Sequence, residues 1–193
     1  MSNSNAPFGL RRVRGITGSQ TAVNEYAHDS GDGTALFIGD PVKNTGTSTA
    51  ATVANTPAGT PLVIATGTIT TTAIRGIVEG IRPTYTNLTL NYGPASTSYP
   101  LLVCDDPSAV YHVQSNGTMV VGDIGCTAGV TSGSGSTTTG LSAYVLTESD
   151  VGQSSHLLHI IRLAPVQGNA LGAYAILEVR INLSEMGATA TGT

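Results

Sequence analysis

Apolar residues in this chain come in short runs, and nearly every run is closed by a turn signal. Ala35-Leu36-Phe37-Ile38 stops at Gly39-Asp40-Pro41, and Pro61–Ala65 stops at Gly67. Residues 74–81 are interrupted by Gly76 and Gly80 and closed by Pro83. Residues 101–104 end at Asp105-Asp106-Pro107, and 110–114 end at Ser115-Asn116-Gly117. Short runs at this spacing, punctuated by Gly, Pro and Asn, predict the strands of an all-β sandwich or barrel. The cleanest alternation lies in 176–183. Leu177, Val179, Ile181 and Leu183 point one way, and Glu178, Arg180 and Asn182 the other, as a half-buried strand requires. Only 118–123 and 148–151 admit a helical turn, and both are far shorter than an ordinary helix.

Residues 1–34 break the pattern. They are rich in Asn, Ser, Gly and Arg, and their apolar residues follow no period. The expectation is an extended N-terminal arm over 1–34, a β-rich body over 35–185 and a flexible tail over 186–193. A segment that cannot bury itself is either disordered or ordered on a neighbour. The arm should therefore be separable, so that removing residues 1–14 leaves the body folded. The Gly/Ser/Thr stretch 131–140 reads as a loop with no capacity to pack.

Composition sharpens this picture. Thr is the commonest residue, Gly numbers 24, and charged residues are only 10% of the 193. Thr suits a pleated surface and Gly suits turns. The net charge of −4 disfavours a nucleic-acid binder. So low a charge, with 40% hydrophobic residues, suggests a surface partly covered by partner subunits. No apolar run approaches a membrane span, and the first residues lack the apolar core of a secretory signal. Cys104 and Cys126 are expected to be free thiols.

The search for catalytic chemistry finds weak candidates. The Gly-rich stretch 132–140 lacks the Lys of a phosphate loop. Ser154-Ser155-His156 sets a hydroxyl beside an imidazole, but in no nucleophile elbow. Asp105-Asp106-Pro107 reads as an Asx-capped turn. Asp29-Ser-Gly-Asp32-Gly33 resembles a fragment of a calcium loop without its distal Glu. His156 and His159, three apart on a strand, would face opposite ways. The expectation is therefore no enzyme activity, no cofactor and no metal. The feature with a functional signal is Arg11-Arg12-Val13-Arg14, since clustered Arg pairs with carboxylates or phosphates. Three charges are few for nucleic acid.

Several segments carry a resemblance. Asn5-Ala-Pro-Phe-Gly-Leu-Arg-Arg-Val-Arg14 is followed by Gly33-Thr-Ala-Leu-Phe-Ile-Gly-Asp-Pro-Val42. Later come Gly135-Ser-Thr-Thr-Thr-Gly-Leu-Ser142 and Asn169-Ala-Leu-Gly-Ala-Tyr-Ala-Ile-Leu-Glu-Val-Arg-Ile-Asn182. In this order they resemble the decoration (cement) proteins of tailed-bacteriophage capsids. The resemblance implies a barrel or jelly-roll-like body and a virion location on the outer capsid surface. It implies the major capsid protein as partner, self-association as a homotrimer or dimer, and no role for nucleic acid or membrane. Phe8, Arg11, Arg12 and Arg14 are the expected capsid contacts. The alternative is a tail- or fibre-associated protein that binds a receptor or carbohydrate. It would present exposed aromatics drawn from Tyr85, Tyr92, Tyr99, Tyr111 and Tyr144.

Overall fold

A computed structural model describes residues 3–15, 22–52, 56–85, 87–152 and 155–187. The chain is all-β. Its strands are β1 (Arg11–Gly15), β2 (Asn24–His28), β3 (Pro41–Ser48), β4 (Pro61–Ala65), β5 (Gly76–Ile81), β6 (Pro100–Cys104) and β7 (Ala109–Gln114). They continue with β8 (Thr118–Met119), β9 (Thr127–Ala128), β10 (Val130–Thr131), β11 (Val145–Leu146), β12 (Leu158–Leu163), β13 (Gly172–Ala173) and β14 (Ile176–Ile181). The two positions that admitted a helical turn hold single 3-10 turns, Val121–Asp123 and Glu148–Asp150.

Two larger assemblies organise these strands. β2-β4-β3-β5-β6 close into a barrel, and β1-β7-β14-β12-β9 form a five-stranded sheet. The barrel is filled by Tyr26, Leu36, Val42, Val63, Val78, Leu101 and Val103. A second, larger core contains Tyr111, Val113, Leu158, Ile160, Leu177, Val179 and Ile181 of the five-stranded sheet, together with Ile77 and Cys104 of the barrel strands β5 and β6. Alternation explains the sharing: one side of β5 and β6 fills the barrel, and the other side faces the sheet. Gly76 lets β5 and β6 lie close within the barrel, because a Cβ there would lie 2.2 Å from the Cys104 carbonyl oxygen.

Residues expected to form a separable arm are part of both assemblies. β1 pairs with β7, and β2 closes the barrel against β4 and β6. Leu10 is 1% exposed within the larger core. Upstream, the Asn3 amide donates to the carbonyls of Ala170 and Ala173, and its oxygen accepts from the Ala170 N–H. The Ala6 N–H donates to Gln114 Oε1, and the Gln114 amide donates back to the Ser4 carbonyl. Burial here comes from pairing with residues tens to more than 100 positions away, which no local pattern displays. The boundary expected at residue 34 therefore has no counterpart in the strand pairing. The tail expected over 186–193 lies outside the described residues from 188 onward.

The Gly/Ser/Thr loop also packs. A Cβ on Gly135 would sit 2.3 Å from the Phe37 ring, and one on Gly133 would sit 2.4 Å from the Ala143 carbonyl oxygen. Glycine serves here for close approach rather than for freedom.

Candidate binding face

The outer side of the five-stranded sheet gathers half of the chain's cationic side chains. Strand register sets two rows across four strands. One row runs Arg11, His112, Glu178, Arg162, and the other runs Arg14, Val110, Arg180, His159. Residues three apart on a regular strand face opposite ways, yet Arg11 and Arg14 share this face, as do His159 and Arg162. The reason is a bulge in each strand, between Arg12 and Arg14 in β1 and between Ile160 and Arg162 in β12. Each extra residue restores the facing of the residues after it.

Glu178 is the centre of the face. Arg162 grips it with both ends of its guanidinium: Nε donates to Oε2 at 2.7 Å and Nη2 to Oε1 at 3.1 Å. Arg14 Nη2 donates to Oε2 at 3.0 Å, and His112 Nε2 lies 3.5 Å from Oε1. The Glu178 side chain is 2% exposed, while those of Arg14 and Arg162 are 34% and 53% exposed. The hydrogen bond from Arg162, helped by Arg14, holds the Glu178 carboxyl down at about 2. Such forked, charge-assisted bonds fix guanidinium geometry.

Arg11 and Arg180 stand on the same face without an ion-pair partner among the described residues. Four of the chain's eight Lys and Arg and one of its twelve Asp and Glu are therefore on this face. It carries +3, which leaves −7 on the rest of a chain of net charge −4.

The four expected contact residues divide. Arg11 and Arg14 are on the face. Arg12 turns to the other side, toward the barrel, where its Nε lies 3.4 Å from Glu79 Oε1. Phe8 is half-buried in the segment leading to Leu10. The sequence reading placed Glu178 and Arg180 on one face of a strand but did not join them to Arg14 or Arg162. Those partners are 164 and 16 positions from Glu178, and the bulges that align them leave no mark in the hydrophobic pattern.

The weaker catalytic candidates are occupied by local structure. Asp106 Oδ1 accepts the Ser108 N–H, which makes the expected Asx turn, but Asp105 accepts from the Tyr26 hydroxyl and the Asn24 amide. Asp29 accepts from the Gly31 N–H, and Asp32 from the N–H groups of Thr34 and Ala65. His156 Nδ1 lies 2.9 Å from the Asp150 carbonyl oxygen, and Ser154 is outside the described residues. Cys104 and Cys126 are both free thiols. No group of three His, Cys, Asp or Glu among the described residues could hold a metal ion. No helix among the described residues is long and apolar enough to cross a membrane.

A scan against protein-family models, a search of curated proteins and a search of solved structures each return no match for this chain.

Proposed function

We propose that this protein is a structural binding subunit that docks its arginine face on an acidic protein surface. The surface in view is the exterior of a tailed-phage head, where it would bridge neighbouring major capsid protein subunits and stabilise the lattice. The observation that carries this reading is the +3 sheet face of a protein whose remainder is −7. Arg14 and Arg162 are pre-aimed by Glu178, so little side-chain freedom is lost when an acidic partner arrives. Arg11 and Arg180 supply the unneutralised charge. Four arginines are few for a nucleic acid, whose affinity grows with the number of phosphates neutralised, but ample for a patch of carboxylates. Copies acting together on a repeating lattice would gain avidity of about 10²–10⁴ over one contact.

The test is the copy number of this protein relative to the major capsid protein in purified virions, by quantitative mass spectrometry, followed by salt stripping. The expected result is a simple stoichiometric fraction and release of the protein as ionic strength rises, since exposed charge pairs are screened. Absence from virions, or retention insensitive to salt, overturns the reading.

A further inference from the structure

The mouth of the barrel holds a cavity that the docking reading does not use. It has a volume of about 690 Å³ and opens where β3 begins and β4 ends. Its walls come from four stretches far apart in sequence: 34–40, 65–67, 132–135 and Tyr144. Barrel mouths are recurrent ligand sites, and this volume is in the usual range for small-molecule pockets. The barrel interior below is filled by side chains, so a ligand would rest at the mouth rather than enter.

The lining is chemically selective. It carries one acid, Asp40, and no Lys, Arg or His. Asp40 is 4% exposed, and its Oδ2 accepts the Phe37 N–H at 2.8 Å. A carboxylate has about four acceptor positions, so Asp40 keeps capacity beyond that bond and the one from Ser142. Phe37 and Tyr144, both buried, border the cavity, with Phe37 fixed by stacking on Tyr92 at 5.5 Å between ring centroids. Thr66, Ser132 and Ser134 complete the polar lining, with the Thr66 hydroxyl donating to the Pro41 carbonyl at 3.0 Å. Ser132 is tied to Thr68 through its N–H and its hydroxyl, each at 3.2 Å. Gly135 lets the loop lie flat on Phe37, since a Cβ there would strike the ring. Glycine at this position is what lets the loop that walls the cavity pack so closely.

An anionic ligand would meet a carboxylate and no cation. A cation would meet a single carboxylate that already holds an N–H and a hydroxyl. A neutral polyhydroxylated ring fits both kinds of polar group, because its hydroxyls can donate to Asp40 and accept from Ser134. We propose that this cavity binds a neutral monosaccharide unit, with Asp40 as its principal acceptor and the 132–135 loop as its outer wall. The proposal stands on different residues from the arginine face and does not depend on it.

The experiment is two-dimensional ¹H–¹⁵N NMR of the full chain, titrated separately with glucose, galactose, mannose and N-acetylglucosamine to roughly 50 mM, well beyond the millimolar range of weak single-sugar binding. At least one sugar is expected to shift the amides of Thr66, Gly133 and Gly135 with a saturable curve. Asp40→Asn, which removes the charge-assisted acceptor, is expected to weaken binding about tenfold. Ser134→Ala, on the exposed loop, is expected to weaken it about threefold while leaving the rest of the spectrum in place, and it decides the matter if Asp40→Asn does not fold. No saturable shift with any of the four sugars overturns the proposal, as do shifts that map elsewhere or binding unchanged in the folded variants.

Discussion

At the barrel, Arg75 and Arg82 each meet a carboxylate, whereas on the outer face of the five-stranded sheet four arginines stand with a single carboxylate that pairs with two of them. Arg75 donates to the Tyr26 hydroxyl at 2.6 Å and lies 3.8 Å from Asp105, which accepts from Tyr26 in turn. Burial and the Asp105 hydrogen bond push the Tyr26 hydroxyl up to about 12. Arg82 pairs with Glu25 at 2.7 Å, and Glu25 also accepts from Thr56. These charges are consumed in holding strand ends together. On the sheet, the Glu178 network holds Arg14 and Arg162, and the surplus remains for something else. Balance marks a structural role at the barrel, and the imbalance on the sheet is what the docking proposal rests on.

The comparison breaks most sharply where the two regions are tied together. Leu10 sits between them, in the larger core, and its N–H donates to the Gly39 carbonyl beside the barrel. Leu10→Ala is expected to cost about 2–5 kcal/mol through lost burial and a residual cavity. For a chain of this size that lowers Tm by roughly 5–15 °C in a circular-dichroism melt. A stability change below about 1 kcal/mol would mean that the segment preceding β1 is a separable arm after all.

Acid titration gives the two regions opposite slopes. Burial raises the Asp40 carboxyl at the barrel mouth from 3.8 to about 6. The folded state then binds the proton more tightly than the unfolded state, so the contribution of this group is fully present below pH 3.8 and is lost as pH rises to about 6, by up to about 3 kcal/mol. Asp40→Asn should flatten that limb of a urea-denaturation profile. Glu178 runs the other way. Its carboxyl is lowered from 4.5 to about 2, so its contribution is full above pH 4.5 and lost as pH falls toward 2. Screening of the half-exposed Arg162 limits this to about 1–2 kcal/mol, and Glu178→Gln should remove it. If both variants left the profile unchanged between pH 2 and 6, neither carboxyl would have the surroundings described for it.

Much of this architecture was legible in the sequence. The alternation in 176–183 put Leu177, Val179 and Ile181 inside, where they are buried, and Glu178 and Arg180 on the opposite face. Asp105-Asp106-Pro107 and Ser115-Asn116-Gly117 follow the ends of β6 and β7 as read, because turns need backbone freedom or fixed φ locally, whereas Gly76 and Gly80 lie inside β5 and residues 35–38 form only isolated bridges. What escaped was non-local. Leu10 is a lone apolar residue between Gly9 and Arg11, and its burial depends on strands that come much later in the chain. The glycines of 131–140 look the same in a flexible linker as in a loop pressed on Phe37. The arginine face is spread over β1, β12 and β14, and the bulges that align it change facing without changing composition. Three arginines within four residues drew attention to residues 11–14, but Arg12 of that cluster turns toward Glu79.

The smallest stability change should come with a loss of binding. Arg11 and Arg180 have no ion-pair partner among the described residues, so replacing both with Glu leaves no buried charge unpaired. The double variant Arg11→Glu, Arg180→Glu should unfold within about 0.5 kcal/mol of the parent, as surface substitutions do. It also takes the face from +3 to −1, so sedimentation with phage heads should fall to background if an acidic surface is the partner. The same double substitution at Arg75 and Arg82 would strand Asp105 and Glu25 and destabilise the barrel. A stable sheet variant that still binds heads would show that the imbalance serves some other end. An unstable one would show that the surplus arginines support the sheet itself, and the contrast between the two regions would be lost.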